Sequence, residues 1–226
     1  DDGLLAPGDV EPLDVPRDRV DYGAAARFTA PRRRRAAAAF AARLDGRPDE
    51  RARFDAFCEE RRGWLDDFAL YTAIKLASGG VAWVAWEQDL ARRHEGALTR
   101  ARRALADEIA AVRFEQLAFA EQFAALRAHA AARGVGLIGD VPIFVAHDSA
   151  DVWQHRELFR LDARGNPEVV AGVPPDYFSA TGQRWGNPLY RWDAVAADGY
   201  RFWIERLRAS HARFDAVRLD HFIGFT

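Results

Sequence analysis

The chain has 226 residues, of which 49% are hydrophobic, and a formal net charge of −2. This size allows one domain with a sizeable core, or one domain with an insertion. No apolar run approaches the ~18 residues that a membrane-spanning helix needs and no signal segment opens the chain, so we expect a soluble, cytoplasmic protein. The near-neutral charge argues against a nucleic-acid partner, and the single cysteine, Cys58, excludes an internal disulfide. Because the chain contains no methionine, we expect that Asp1 is not the first residue of the gene product.

The chain is predicted to begin with a loop-rich segment and to continue as helix. Residues 1–31 hold several prolines and glycines with little periodicity, which predicts a loop-rich N-terminal segment. The alanines after the arginines at 32–35 predict a helix that ends near Gly46. We interpret the four arginines as a solvated helix face rather than a nucleic-acid site, because no aromatic residues are interleaved with them.

A second helical region is predicted from Asp49 to the Ser-Gly-Gly sequence at 78–80. Its apolar residues recur at steps of three and four, a stripe that is more typical of a core than of a sugar-binding platform. Gly63 is a point at which this helix can break. Farther along, Trp83 and Trp86 can stack on sugar rings or fill a core, and we favour the core.

A long helical region over 98–133 leads into the part of the chain that carries the chemistry. Two glycines follow it, and the nearly continuous apolar run at 137–145 then predicts a parallel strand buried on both faces. A loop is predicted from 146 to about 197, a length that is typical of functional loops. A further helix begins at Asp198.

A second strand is predicted at the C-terminal end of the chain. Val217 and Leu219 alternate with Arg218 and Asp220, so the cation and the carboxylate leave the same face of the strand. From this segment alone, an ion pair on a sheet edge and a catalytic pair both remain open. The order strand, loop, helix, strand predicts one parallel crossover with its chemistry at the C-terminal strand ends.

Three motifs occur in this region: GDVPIFVAHDSADVW (139–153), VAGVPPDYFSATGQRWGNPLY (170–190) and RLDHF (218–222). In this order and at these separations they resemble the 4-alpha-glucanotransferase family, also called amylomaltase or disproportionating enzyme (glycoside hydrolase family 77). The resemblance implies an α/β fold, part of a TIM (β/α)8 barrel. Residues 32–102 would form a helical insertion subdomain and residues 103–226 a partial barrel carrying the nucleophile strand. Since eight strands need about 250 residues, we expect the chain to be truncated at both ends.

The resemblance also implies a reaction, the retaining transfer of an α-1,4-glucan segment to the 4-hydroxyl of an acceptor sugar. Asp220 would be the nucleophile, Arg218 would favour its ionised state, and His221 would bind a sugar hydroxyl. In the family the acid/base is a glutamate after the next strand, beyond the last residue of this chain, so this segment alone is expected to be inactive. Two carboxyl groups ~5 to 5.5 Å apart are typical of retaining enzymes.

Further substrate-binding residues are implied in the first strand and in the loop. They are Asp140, Asp176, Tyr177, Phe178, Gln183, Trp185 and Asn187, in addition to Arg218 and His221. Tyr190 and Trp192 are predicted to be packing anchors instead. His147, Asp151 and His155 recur every four residues, but no third histidine or cysteine completes a metal site, so no metal and no cofactor are expected.

The expected partners are maltooligosaccharides and α-1,4-glucans, with no nucleic acid, no membrane and no obligate protein partner. One departure concerns the position after His221 and Phe222, where Ile223 stands in place of the family's frequent arginine, which puts donor-site contacts in doubt. Two alternatives remain open at this stage. An α-glucan hydrolase of similar barrel type would share Asp220 and Arg218, and a non-catalytic glucan-binding fragment would bind sugars without turnover.

Overall fold

The structure is a computed structural model that describes residues 3–12, 14–16, 18–177 and 179–225. Its α-helices are, in chain order, α1 (Tyr22–Leu44), α2 (Pro48–Glu60), α3 (Arg62–Ala77), α4 (Gln88–Ala91), α5 (Glu95–Ala104), α6 (Ala106–Ala131), α7 (Ala150–Gln154), α8 (Trp192–Ala197) and α9 (Arg201–His211). Its strands are β1 (Ile138–Val141), β2 (Val170–Val173), β3 (Gln183–Pro188) and β4 (Ala216–Leu219). Within the described residues, no helix combines the length and the apolar character needed to cross a bilayer.

The backbone divides into two compact units, each built from two stretches of chain. One comprises Asp1–Ala73 and Arg102–Ala120, and the other comprises Ile74–Ala101 and Glu121–Thr226. The division into two compact units does not by itself show that residues 32–102 are an insertion. The three-segment division expected from the sequence therefore stays a prediction.

The first unit has an aromatic and aliphatic core. Phe40 of α1 stacks on Phe114 of α6 with ring centroids 4.5 Å apart, and its ring also meets that of Phe54 edge to face at 5.4 Å. Phe57 and Leu65 are buried in the same cluster. The stripe on the second helical region is therefore core, as predicted, and burial of such side chains is the main favourable term in folding.

The helix boundaries differ from the predicted ones at two places. Helix α1 already begins at Tyr22, capped by Asp21, whose Oδ1 accepts a hydrogen bond from the Ala24 N–H at 2.8 Å. The loop predicted over residues 22–31 is therefore wrong, because Pro31 lies inside the helix instead of ending it. The second helical region is broken in two, as predicted. The break falls at Arg61, however, and Gly63, where it was predicted, lies inside α3.

The second unit contains the parallel pair that the sequence predicts. Strand β1 pairs with β4 in the register Ile138↔Ala216, Gly139↔Val217, Asp140↔Arg218 and Val141↔Leu219. Gly139 of β1 leaves room for the ring of Phe214, which precedes β4. A Cβ atom at Gly139 would lie only 2.2 Å from Phe214 Cδ2.

Strand β1 is shorter and more exposed than predicted. It ends at Val141, because Pro142 has no N–H to donate to a neighbouring strand. Burial alternates along it: Ile138 is 75% exposed and the Asp140 side chain is exposed, whereas Gly139 and Val141 are buried. The predictions that both faces of this strand and the Asp140 carboxylate are buried are therefore wrong.

The region predicted as one long loop contains regular structure. Helices α7 and α8 lie within it, and β2 and β3 form an antiparallel hairpin with an irregularity between Val170 and Gly172. The indole of Trp83 is fully buried and donates to the His147 carbonyl at 2.8 Å. Trp86 is also buried, so the preference for a core role for both tryptophans is confirmed.

Candidate active site

The side chains of Asp140 and Arg218 form the centre of the candidate site. Arg218 Nε donates a hydrogen bond to Asp140 Oδ1 at 3.0 Å, and Arg218 Nη2 donates to Asp140 Oδ2. A planar guanidinium that meets both oxygens of a carboxylate fixes orientation as well as charge. The hydrogen bonds from Arg218 hold the pKa of Asp140 below its ordinary value. In turn, the hydrogen bond to Asp140 raises the pKa of Arg218.

Asp220 follows strand β4 directly, and its carboxylate contacts the same guanidinium nitrogen, Nη2, as Asp140. Arg218 Nη2 is 3.3 Å from Asp220 Oδ1, so the cation lies between two carboxylates. The Asp220 N–H donates to the Val141 carbonyl at 3.1 Å, which continues the pairing of the two strands by one residue. The Asp220 side chain is more than half exposed. A carboxylate in this position is accessible to a substrate and close to a fixed positive charge.

His221 turns the chain sharply after Asp220. Its φ of 52° lies in the left-handed region, which few residues other than glycine adopt. The imidazole meets the Trp185 ring edge to face, with centroids 4.9 Å apart and an interplanar angle of 84°. The Phe144 ring is 6.4 Å from it. The structure thus brings His221 and Trp185 together, two residues that the sequence places 36 positions apart.

The β2–β3 hairpin presents the other aromatic and polar residues of the predicted site. Its turn is tight at Gly182, where φ is 73° and an added Cβ would lie 2.6 Å from the Val173 carbonyl oxygen. Asp176 Oδ1 accepts a hydrogen bond from the Ser179 N–H at 2.9 Å, so this carboxylate also orders the turn. Tyr177 is 97% exposed. Its ring is therefore available to a ligand.

The two predicted amide residues of strand β3 have protein partners. Gln183 Oε1 accepts a hydrogen bond from Trp185 Nε1 at 3.0 Å. Asn187 Nδ2 donates to the Val145 carbonyl at 2.8 Å, which ties the hairpin to the segment after β1. Phe178, the remaining predicted site residue, lies outside the described residues.

Arg206 is a residue near the site that sequence reasoning missed. From helix α9 its Nη2 donates to the Pro142 carbonyl at 2.9 Å and its Nη1 to the Ile143 carbonyl at 3.3 Å. The Tyr190 hydroxyl donates to the Ile143 carbonyl at 2.9 Å and confirms the predicted anchor, and burial raises the pKa of this tyrosine. The sequence feature that could have indicated such a donor is Pro142. A strand that stops at a proline leaves carbonyl groups that need hydrogen-bond donors from elsewhere in the chain.

The histidines of the predicted four-residue repeat bond to other groups. His147 Nε2 lies 2.7 Å from the Gly165 carbonyl oxygen, and His155 Nδ1 lies 3.9 Å from Glu157 Oε1. The neighbouring His155 holds the pKa of Glu157 below its ordinary value. Across the residues the structure describes, no three metal-ligating side chains come together.

Comparison with known proteins identifies the family. A family model described as 4-alpha-glucanotransferase matches residues 2–226. The chain belongs to the 4-alpha-glucanotransferase family. The 4-alpha-glucanotransferase of Thermus thermophilus is 51% identical over 210 residues, which are 93% of this chain and 42% of the relative. The chloroplastic/amyloplastic 4-alpha-glucanotransferase of Solanum tuberosum is 36% identical over 227 residues, which are 100% of this chain and 39% of the relative.

A solved structure of this 4-alpha-glucanotransferase family has a similar backbone. The amylomaltase from Streptococcus agalactiae in complex with acarbose matches with a TM-score of 0.90 and 35% sequence identity. The match covers 99% of this chain and 45% of that chain. It confirms the predicted family and the α/β class. The chain spans about two fifths of the length of the relatives that it matches.

Proposed function

We propose that the protein carrying this chain is a 4-alpha-glucanotransferase that moves an α-1,4-glucan segment from a donor maltooligosaccharide to the 4-hydroxyl of an acceptor glucose or glucan. The observation that carries the proposal is the placement of Arg218 between Asp140 and Asp220 at the carboxyl ends of two parallel strands. The names of the relatives and the acarbose bound to the Streptococcus agalactiae amylomaltase support the same activity.

Asp220 is the proposed nucleophile. Its carboxylate attacks the anomeric carbon of the donor, forming a glycosyl ester as the bond to the leaving 4-oxygen breaks. The guanidinium of Arg218 lies 3.3 Å from the Asp220 carboxylate and orients it for this attack. Asp140 accepts hydrogen bonds from Arg218 Nε and Nη2, which orients the guanidinium beside the proposed nucleophile.

The transfer is completed by a second displacement. The acceptor 4-hydroxyl attacks the glycosyl ester and releases Asp220 as a carboxylate, which retains the configuration of the anomeric carbon. A second carboxylic acid must protonate the leaving oxygen and later take the acceptor proton. We assign this group to no residue of this chain.

The hairpin supplies the proposed sugar contacts. Tyr177 and Trp185 offer flat rings to the C–H face of glucose, with Phe178 proposed beside them. His221 and Asp140 are proposed to bind sugar hydroxyls. The polar residues of the hairpin, Asp176, Gln183 and Asn187, are held by hydrogen bonds within the protein and are proposed to bind sugar hydroxyls as well.

We also propose that β1 and β4 are neighbouring strands of a TIM (β/α)8 barrel, with residues 32–102 as a helical insertion and residues 103–226 as barrel. The parallel pairing of β1 and β4, with the long connection between them, supports this arrangement. Catalytic groups of such barrels lie at the C-terminal strand ends. Asp220 follows β4 at this end, which agrees with the proposed nucleophile role.

The proposed function is tested by incubating maltotriose with a protein of the same length as the relatives. Transfer yields longer and shorter oligomers together, whereas an α-glucan hydrolase yields glucose and maltose alone. Chromatography of the products at early times distinguishes the two activities. Calorimetric binding of maltooligosaccharides without turnover would replace the proposal with a glucan-binding role.

A further inference from the structure

We propose that Trp185 is a positioning residue for His221, through which the β2–β3 hairpin sets the orientation of the imidazole next to the nucleophile. The inference rests on the proposed function, in which His221 binds a sugar hydroxyl. It gives Trp185 a second task beside stacking on sugar. The observation behind it is the edge-to-face contact of the two rings, 4.9 Å apart at 84°.

The backbone of His221 makes external support necessary. A residue other than glycine at a φ of 52° is held there only when its surroundings fix it. The Gly224 N–H donates to the His221 carbonyl at 2.9 Å and closes the turn after Asp220. This hydrogen bond fixes the main chain, but it leaves rotation about the side-chain bonds of His221 unconstrained.

The imidazole is enclosed from two sides. An added Cβ at Gly224 would lie 3.3 Å from His221 Cδ2, so the turn itself covers one side of the ring. Trp185 covers another with an edge-to-face contact, a geometry that the charge distribution of aromatic rings favours. Removal of the indole would therefore free the imidazole to adopt other rotamers.

Trp185 is itself held in place, as a positioning residue must be. Its Nε1 donates to Gln183 Oε1 at 3.0 Å, and its ring lies 6.3 Å from that of Phe144. The side chain is 39% exposed, so the indole contacts His221 while part of it stays open to a ligand. A sugar that displaces Trp185 would thus displace the imidazole beside Asp220 as well.

Nuclear magnetic resonance of the full-length protein tests the contact without reference to activity. The carbon-bound ring protons of His221, assigned by their loss in His221→Gln, should be shifted by the ring current of Trp185. Trp185→Leu should move them to the position of an imidazole with no aromatic neighbour, whereas Trp185→Phe should retain most of the shift. His221 resonances that stay in place in Trp185→Leu would overturn the proposal, and unchanged signals elsewhere would show that the variant is folded.

A double-mutant cycle on kcat/KM for maltotriose transfer tests whether Trp185 affects the reaction through His221. Because Trp185 in this proposal both positions His221 and stacks on sugar, the loss of kcat/KM in the variant with both Trp185→Leu and His221→Gln should be smaller than the product of the two single losses. Tyr177→Ala is the matched control from the same hairpin, and its effect should multiply with that of His221→Gln. Multiplying effects of Trp185→Leu and His221→Gln would reduce Trp185 to a sugar contact. If His221→Gln alone leaves transfer unchanged, the proposed role of His221 fails, while the resonance shift still decides whether the rings of Trp185 and His221 are in contact.

Discussion

Asp140 and Arg218 are direct partners across the β1–β4 pair, and their side chains continue this pairing through two hydrogen bonds. The backbone register thus determines which carboxylate the arginine meets. The same guanidinium then lies 3.3 Å from Asp220, two residues farther along the chain. A change in the strand register would separate Arg218 from Asp140, whereas the contact between Arg218 and Asp220 lies within one stretch of chain.

Replacement of Arg218 by lysine tests the importance of the planar guanidinium. Arg218→Lys keeps the positive charge but cannot donate to both oxygens of Asp140 while facing Asp220, so we expect kcat/KM for transfer to fall by about tenfold or more. Arg208→Lys, an exposed position on α9, is the control and should be neutral. An unchanged rate and pH profile in Arg218→Lys would make the ion pair structural only.

The nucleophile assignment predicts a much larger loss. Asp220→Asn is nearly isosteric but removes the attacking charge, so glycosyl transfer should fall by several orders of magnitude while the thermal unfolding midpoint changes little. Asp193→Asn, an exposed carboxylate on α8, should retain the wild-type rate. Even a tenth of the wild-type rate in Asp220→Asn would contradict the assignment.

Tyr177 is expected to control the choice between sugar and water as the acceptor. Because its ring is almost fully exposed, Tyr177→Ala removes a sugar contact without opening the core. We expect a higher ratio of hydrolysis to transfer and shorter products, while the glycosyl-enzyme still forms. The measurement is the ratio of released reducing ends to transferred segments. A uniformly lower rate with the same ratio would limit Tyr177 to supporting the hairpin.

The contact between Gly139 and Phe214 predicts a stability effect. Gly139→Ala places a methyl group where Phe214 Cδ2 would be 2.2 Å away, so the ring must shift. Overpacking of this kind typically costs about 1–3 kcal/mol. Gly136→Ala is the matched control, because its added Cβ would meet nothing closer than Asp215 Oδ2 at 3.8 Å. Equal unfolding free energies for the two variants in urea would contradict the close packing.

Asp215 should make stability depend on acid pH. Its Oδ2 accepts from the Leu137 N–H at 2.8 Å and its Oδ1 from Arg127 Nη2 at 2.8 Å, and these bonds hold its pKa below the ordinary value. Because the pKa is lower in the folded state, the stabilisation is present above about pH 3.9 and is lost as the pH falls through the folded-state value.

The variant Asp215→Asn measures this contribution. Its unfolding midpoint should be lower than that of the wild type at neutral pH, and the difference should shrink in acid. Asp193→Asn serves again as the control. A difference between wild type and Asp215→Asn that stays constant from neutral pH to pH 3 would show that the charge of Asp215 contributes nothing.

The sequence predicted the features that depend on local periodicity. The stripe that buries Phe57 and Leu65, the parallel strands, and the common face of Arg218 and Asp220 all follow from residue spacing, and the structure contains them. Pro31 misled the prediction because proline usually ends a helix, whereas here the helix continues through it.

The features that the sequence did not predict depend on contacts between distant residues. The β2–β3 hairpin lacks regular alternation, since the first four residues of β3, Gln183 to Gly186, are all exposed. Arg206 reaches carbonyl groups 63 and 64 residues away, and nothing in its local sequence specifies those acceptors. The contact between Trp185 and His221 requires both the hairpin and the left-handed turn, so it follows from tertiary structure alone.

The hydrogen bond from the Asp220 N–H to the Val141 carbonyl distinguishes the two parts of the candidate site, the strand end that carries Asp220 and the hairpin. The main chain of Asp220 is hydrogen-bonded to the neighbouring strand, so the position of the proposed nucleophile is fixed by the sheet. The hairpin that carries Tyr177 and Trp185 is joined to the segment after β1 by side-chain contacts such as that of Asn187. We therefore expect that substitutions in the hairpin, in evolution or by engineering, alter the sugar contacts of the proposed reaction while the proposed nucleophile keeps its place at the end of the sheet.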